Sequence, residues 1–559
     1  EDGVTRTSAY FVPVETDLQS LYNPIAMANE ATNRSVSRNI NPRIEILLDI
    51  LPTLRYTGTF GYNVSTEDRE KFRPQSVGTT ADKTVTNYNN SESYSSLQTS
   101  MYIQNKLIYN LNFLEKNHVV LTAMMDLNDQ ATRTRTTTTY GGGSENLSSP
   151  VTAGNISVFQ APSSATRSFG AVLNLHYDYD NRYILGASYR RDGVSKMSRG
   201  TRWADFPSIS AAWRLDNEPF IKTTGIFSTL KLHASWGYNG KAPDTAYPYL
   251  GRYTTENNYG TLGTVAPTNI QLNNLKWEKV EKIDVGLDFS FLEDRLNFNV
   301  DYYRNTTHDL LQKNISVASY IGYTSIPFIN SGKMRNEGWE FRGSYNDILK
   351  SNVWKLGLNF NISGNQNKLL ELPQNVNYMQ YPDQATNGEY AITLEAGDPM
   401  GSFYGFRYLG VYKDEAATYV HDANGNLVYD ISGQPARMYH EDRQVRPGDA
   451  IYQDVNGDGI INKHDIVYLG NSMPKVTAGF GFNVGYKQLM LRAFFHSRWK
   501  YDVVNQARMN AENMSGYDNQ SVSVRNRWRF EGDETNIPRA LHKGANHYNW
   551  LGSDRFVED

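Results

Sequence analysis

Apolar and polar residues alternate with a period of two in at least five separate stretches of the chain. Leu54, Tyr56, Gly58, Phe60, Tyr62 and Val64 are interleaved with Arg55, Thr57, Thr59, Gly61 and Asn63. Successive side chains of a strand point to opposite faces, so this stretch predicts a strand with one apolar and one polar face. Phe169, Ala171, Leu173, Leu175 and Tyr177 read the same way against Asn174, His176 and Asp178. So do Leu230, Leu232, Ala234, Trp236 and Tyr238 against Lys231, His233, Ser235 and Asn239. Ile283, Val285, Leu287 and Phe289 oppose Asp284, Asp288 and Ser290, and Trp354, Leu356, Leu358, Phe360 and Ile362 oppose Lys355, Asn359 and Asn361. This alternation predicts roughly sixteen strands between Arg43 and Arg498.

The connections alternate in length. Short links are expected at Asp180–Asn181, Glu293–Asp294–Arg295, Asn346–Asn352 and Lys487–Gln488. Between them lie long polar excursions, from Ser65 to about Ser96, Asp129 to Thr166, Gly240 to Lys276, Asn305 to Arg335 and Lys413 to Pro474. Short turns on one rim and long loops on the other describe an outer-membrane β-barrel, with periplasmic turns and extracellular loops. A soluble sandwich has short connections at both ends, and a propeller repeats every 40 to 50 residues or so, a period not found here. Trp213, Trp236, Trp339 and Trp354 fall on or near strand ends, where a barrel places its aromatic girdles.

Composition supports an all-β transmembrane antiparallel barrel. The 559 residues include 38 Tyr and 43 Gly, which suits strands and turns. No stretch approaches the ~18 consecutive apolar residues of a spanning helix. The net charge of -4, without a basic run, sets nucleic-acid binding aside. Absence of cysteine removes disulfide scaffolds, cysteine-ligated zinc and thiol catalysis. The 10 histidines are scattered without zinc-hydrolase spacing, Tyr140-Gly-Gly-Gly-Ser144 lacks the ending of a phosphate loop, and no nucleophile elbow appears. No catalytic residue is assigned and no enzymatic activity is expected.

One motif carries metal chemistry. In Asp454-Val-Asn456-Gly-Asp458-Gly459-Ile460-Ile-Asn462-Lys-His-Asp465, oxygen side chains occupy positions 1, 3, 5, 9 and 12 of an EF-hand-type loop. Glycine stands at position 6, and Ile460 offers its carbonyl at position 7. Asp454, Asn456, Asp458, Ile460, Asn462 and Asp465 are therefore a candidate structural calcium site in the 413–474 loop. Asp465 stands where glutamate usually gives bidentate ligation, so coordination is expected to be weaker. The alternative is a polar loop held by Asx turns without metal.

Several segments, in order, resemble the SusC/RagA-like TonB-dependent outer-membrane transporters of Bacteroidetes. They are Asn181-Arg-Tyr-Ile-Leu-Gly-Ala-Ser-Tyr-Arg-Arg-Asp-Gly193, Phe206-Pro-Ser-Ile-Ser-Ala-Ala-Trp-Arg214, Leu230-Lys-Leu-His-Ala-Ser-Trp-Gly237, Leu275-Lys-Trp-Glu278 with Ile283-Asp-Val-Gly-Leu-Asp288, Asn336-Glu-Gly-Trp-Glu-Phe341, Gly401-Ser-Phe-Tyr-Gly-Phe406, Asp454 to Ile460 and Gly532 to Pro538. The resemblance implies a barrel of about 22 strands around an N-terminal plug. It further implies active import of oligosaccharides or peptides across the outer membrane of a Gram-negative bacterium. The energy would come from the TonB complex acting through the plug, and a SusD-like lipoprotein would form a lid. Residues 1–559 read as the barrel portion of such a protein. No segment before Arg43 reads as a plug or TonB box, and Ser553–Asp559 reads as the start of a further strand, so the chain is expected to be one section of a larger polypeptide. A structural or adhesive barrel that moves nothing, or an outer-membrane enzyme, are the competing readings, and no residue is assigned to substrate.

Overall fold

In the computed structural model, the described residues are 24–77, 89–142, 149, 153–259, 262–316, 323, 325–346, 348, 353–372, 379–380, 388–393, 396–422, 424–515, 519–541 and 548–559. In chain order the principal strands are β1 (Thr32–Ile40), β2 (Arg43–Leu51), β3 (Leu54–Arg73), β4 (Asn90–Phe113), β5 (Asn117–Gly142), β6 (Ala153–Gln160), β7 (Ser163–Tyr179), β8 (Tyr183–Val194), β9 (Trp203–Arg214), β10 (Thr229–Lys241), β11 (Arg252–Tyr259), β12 (Leu262–Asn269), β13 (Glu278–Phe291), β14 (Leu296–His308), β15 (Leu311–Ser316), β16 (Ser325–Asn330), β17 (Lys333–Tyr345) and β18 (Trp354–Glu371). The strands Val476–Tyr486 and Leu489–Trp499 follow. Among the described residues sixteen strands belong to one sheet, and all but β1 lie in the span from Arg43 onward where alternation anticipated roughly that number. The chain divides into two compact units.

The first unit comprises residues Glu1–Asp180, Ile184–Ile209 and Gly240–Trp277. Its sheet begins ahead of Arg43, because β1 pairs with the outer half of β3 (Ile40↔Val64) and β2 with the inner half (Arg43↔Gly61). Pro42 separates them; it has no N–H to give the ladder, and its carbonyl accepts from the Tyr62 N–H at 3.0 Å. Strands β4 and β5 are 24 and 26 residues long and paired along almost their whole length, from Ser91↔Thr139 to Phe113↔Asn117. A membrane crossing needs only about ten residues. Much of the expected excursions Ser65–Ser96 and Asp129–Thr166 is therefore strand, a correction to the loop reading. Between Gly240 and Lys276, β11 and β12 form a separate hairpin.

The second unit comprises Asn181–Tyr183, Ser210–Asn239 and Glu278–Asp559. Strands β13, β14, β17, β18, Val476–Tyr486 and Leu489–Trp499 pair antiparallel in that order. The link between β13 and β14 is short, with Leu292, Glu293 and Asp294 at φ 58, 59 and 61°. Lys487 begins the two-residue turn of the last hairpin with φ 52°. The link expected at Asn346–Asn352 lies mostly outside the described residues. Between β14 and β17 the excursion carries its own hairpin, β15 with β16. Lys413–Pro474 is not a free loop either. Its residues Ala450, Tyr452 and Ile461 join Phe406 and Leu551 in one hydrophobic core, and Met509, Met514, Val524, Ile537, Trp550 and Phe556 of the later segment form a second. Ser553–Asp559, expected to begin a further strand, holds only a two-residue one. Asp554–Phe556 form a 3-10 turn, and Val557–Glu558 pair with Val503–Val504.

Candidate functional site

The sheet is inside out for a water-soluble protein. In β8, Leu185, Ala187 and Tyr189 are exposed, while Gly186, Ser188 and Arg190 between them are less so. In the second unit Val285 is 43% exposed, and Phe495, in register with Phe360 through Phe480, 61%. Phe289, Phe298, Phe341 and Phe360 form a ladder across four strands on that same apolar face, with centroids 5.1 to 5.9 Å apart. A contiguous apolar face of this extent is stable only against lipid or another apolar surface. The alternation read at Leu230–Tyr238 and Ile283–Phe289 therefore has its apolar residues turned outward.

Polar groups on the opposite face satisfy one another. In the first unit Arg190 pairs with Asp192 at 2.7 Å and Asp126 at 3.3 Å. In the second, Lys231 Nζ lies 3.6 Å from Asp288 Oδ2, and Tyr303 donates to Asn365 Oδ1 at 3.0 Å. The aromatic positions also bear out the girdle reading in part. Trp354 packs on Tyr486 at 4.5 Å beside the short turn at Lys487, and Trp213 stacks on Tyr183 while donating to Glu218 at 3.0 Å. Trp236 donates to Glu281 at 2.9 Å. An indole with its ring exposed and its N–H bonded suits a membrane interface.

Beyond the strands, the segment around Gly401–Asn471 and Asp502–Asp559 is fixed by buried charge. Asp449, 3% exposed, accepts from the Arg446 N–H at 2.9 Å, Arg539 Nε at 2.9 Å and Asn549 Nδ2 at 3.2 Å. Asn549 in turn accepts from the Ala450 N–H at 3.0 Å. Glu512 is buried too; burial raises its pKa, but hydrogen bonds and charge from Arg555 and Arg508 outweigh that and hold it below the ordinary carboxylate range. The Asp449 contacts to Arg539 and Asn549 tie stretches of chain 90 and 100 residues apart, the Glu512–Arg555 pair stretches 43 apart, and sequence inspection missed all of them.

The calcium-type loop adopts Asx turns. Asp454 accepts from the Gly457 and Gly459 N–H groups, both at 2.7 Å, and those glycines take φ 74 and 80°. Asn456 accepts from Asp458 N–H at 3.1 Å, and Asp458 from Ile460 N–H at 2.8 Å. Asp465 is fully buried; it accepts from Val455 N–H and Asn462 N–H at 2.8 Å each, and Asn462 caps the short helical turn after it. Burial pushes the Asp465 carboxyl above its ordinary range. The six candidate residues thus share one turn, but Asp454 and Asp465 spend their oxygens on backbone donors, and Asp458 divides its own between the Ile460 N–H and the Asn456 amide. Among the described residues, three carboxylate or imidazole donors gather within 4.8 Å of one another at His233, Asp284 and Asp301, and not at this loop.

The family model described as TonB dependent receptor-like, beta-barrel, matches residues 21–530. The chain belongs to this family. Its fold class is accordingly the outer-membrane β-barrel of TonB-dependent receptors. It is 28% identical to the TonB-dependent receptor P39 of Formosa agariphila over 574 residues, which is 96% of this chain and 52% of that protein. To the TonB-dependent receptor SusC of Bacteroides thetaiotaomicron it is 27% identical over 371 residues, 63% of this chain and 34% of SusC. Among solved structures it resembles the RagAB peptide transporter with a TM-score of 0.77 at 19% identity, covering 95% of this chain and 55% of that one. The chain spans about half the length of the curated relatives it matches along most of its length. The family is one of transporters and receptors, and the SusC/RagA-like resemblance carried by Asn181–Gly193 and the segments after it agrees with these relatives.

Proposed function

We propose that this chain is barrel wall and outer surface of a SusC/RagA-like importer, which moves oligomeric nutrients, oligosaccharides or peptides, across the outer membrane of a Gram-negative bacterium. The observation that carries the proposal is the family match over residues 21–530 on a sheet whose apolar face points outward. The wet face, lined by Asp288, Asn299, Arg342 and Asn361, suits a lumen through which polar cargo passes. Work comes from the TonB complex through a plug supplied by the rest of the protein. A SusD-like lipoprotein closes the mouth over the segment around Asp449 and Glu512. The RagAB peptide transporter, similar in fold, supports a peptide as cargo, and the SusC/RagA-like resemblance keeps oligosaccharides beside it. The rival reading, a structural or adhesive barrel, needs neither motor nor lid.

The test is deletion of the gene in its native host, followed by growth on defined glycans and on peptides as sole nutrient. A deletion that abolishes growth on one of these, matched by loss of TonB, supports import. Unchanged growth on every such nutrient, with the protein abundant at the surface, favours the rival. Purification from native membranes in mild detergent is expected to bring down a lipoprotein, through an interface well above about 1,000 Å².

Calcium at Asp454, Asn456, Asp458, Asn462, Asp465 and the Ile460 carbonyl belongs to the same proposal. Residue types and order suit it, and an extracellular site of about 10⁻⁴ to 10⁻³ M affinity is filled where calcium is abundant. The ion would draw Asp458 and Asp465 in towards Asp454 and neutralise them, a structural role. Titration of the full-length protein is expected to show calcium protecting this loop from protease, and Asp454→Ala with Asp458→Ala to remove that protection. Protection unaltered by both substitutions leaves the Asx-turn loop without metal.

A further inference from the structure

Inside the polar face of the second unit, β10 and β13–β14 bring together a group of residues to which the transport reading gives no role beyond lining that face. His233 comes from β10, Asp284 and Asp288 from β13, and Asp301 from β14. One donor atom each from His233, Asp284 and Asp301 lies within 4.8 Å of the other two. His233 Nε2 stands 3.5 Å from Asp301 Oδ1 and 3.9 Å from Asp288 Oδ2. That nitrogen is closed off from solvent and makes no hydrogen bond. Asn299 donates to Asp288 Oδ1 at 2.7 Å, yet its own carbonyl oxygen is likewise shut from solvent with no donor. Two orphaned acceptor-capable atoms beside three carboxylates are costly unless something positive stands between them.

A second observation comes from Gly286, between Asp284 and Asp288. Glycine weakens a strand interior, and its backbone here is not in the left-handed region. Its reason is space: a Cβ at this position would lie 2.1 Å from Asp301 Oδ1 and 2.5 Å from His233 Nε2. Any larger residue would push the imidazole and the carboxylate apart. Strand β13 thus gives up a side chain where a nitrogen and an oxygen donor converge.

We propose that His233, Asp284 and Asp301 bind one divalent transition-metal ion of the zinc class, with Asp288 and Asn299 at its border. A tetrahedral ion with bonds of about 2.1 Å sets its donors about 3.4 Å apart, close to the His233–Asp301 separation. The mixed nitrogen and carboxylate set selects against calcium and magnesium, which take oxygen alone. Lys231 pairs with Asp288 and leaves Asp284 and Asp301 for the metal. Such an ion would cross-link three neighbouring strands on the wet face of the barrel, independently of cargo.

The probe is cobalt(II), read by its visible absorption, and zinc(II), read by calorimetry, on the full-length protein after chelation. One equivalent is expected to bind. His233→Ala and Asp301→Asn each weaken binding at least tenfold, and Gly286→Val does the same by filling the space. Leu232→Ala, on the other face, leaves it unchanged. Heat-modifiable migration in a gel confirms that each variant is folded, and His233→Gln, nearer in size, replaces His233→Ala if the latter fails. No saturable uptake by the wild type overturns the proposal, as does uptake that His233→Gln and Asp301→Asn leave intact. In the first case the cluster holds no ion.

Discussion

Placing arginine at Leu232 and, separately, at His233 sets the two faces of one strand against each other. Leu232 is 42% exposed on the apolar face, whereas the His233 ring lies among Asp288 and Asp301. The depth follows from register. His233 abuts Gly286, which pairs with Asp301, and the β13–β14 ladder ends five pairs later at Phe291↔Leu296. Five residues span about 17 Å along a strand, or about 12 Å along the normal at a tilt of about 45°. That is half of an apolar band about 25 Å tall, so Leu232 sits near the midplane. Arginine facing lipid there costs about 2–4 kcal/mol, and a tenfold change in equilibrium corresponds to about 1.4 kcal/mol, so folding falls by about 30- to 1,000-fold. At His233 the guanidinium meets carboxylates instead, and the loss is expected to stay under about 1 kcal/mol. Denaturant titration of the full-length protein in lipid vesicles measures both. Equal losses, or a greater loss at His233, refute the assignment of faces.

Two further outcomes concern the outer segment. Asp449→Ala strands Arg539 and Asn549 in a buried site and is expected to cost about 3–5 kcal/mol, seen as rapid hydrogen exchange across Ala450–Tyr452 while the long strands stay protected. His440, buried between Tyr452 and Tyr548, has its imidazole pushed by burial from 6.5 down to about 4. The unfolded segment therefore binds the extra proton first. Stability is complete above about pH 6.5 and falls on the order of 3 kcal/mol as pH drops towards 4, and His440→Phe flattens that slope in a protease-susceptibility profile.

Strand identity was legible because lipid on one side and water on the other impose a two-residue period. The period stops where both faces are wet, which is why β3 to β5 were cut short. Arg69 and Lys71 meet Glu92 across the outer β3–β4 ladder, and Thr136 to Thr139 are a run of polar residues without alternation. Main-chain pairing holds those ends without leaving a hydrophobic signature. The core built on Ala450, Ile461 and Leu551 was invisible for another reason: its residues sit about a hundred positions apart, and nothing local announces which will meet. The same is true of His233, Asp284 and Asp301, whose proximity depends on the register of three strands. Gly286 alone gave a local hint, a glycine where a strand favours a β-branched residue. The calcium-type motif stands at the opposite extreme, being wholly local and readable by spacing.

Lipid exposure of the sheet is the claim on which the rest depends, and it can be measured residue by residue. The chain has no cysteine, so single-cysteine variants take one nitroxide label each. Labels at Val285, Leu287, Phe289 and Val300, compared with Asp284, Asp288, Asn299 and Asp301, report collision with oxygen, which concentrates in lipid, and with a nickel chelate confined to water. In the full-length protein in bilayers the account predicts a period of two, with oxygen favoured at the first set and the chelate at the second. Similar access of the chelate to both sets would contradict a membrane-spanning wall.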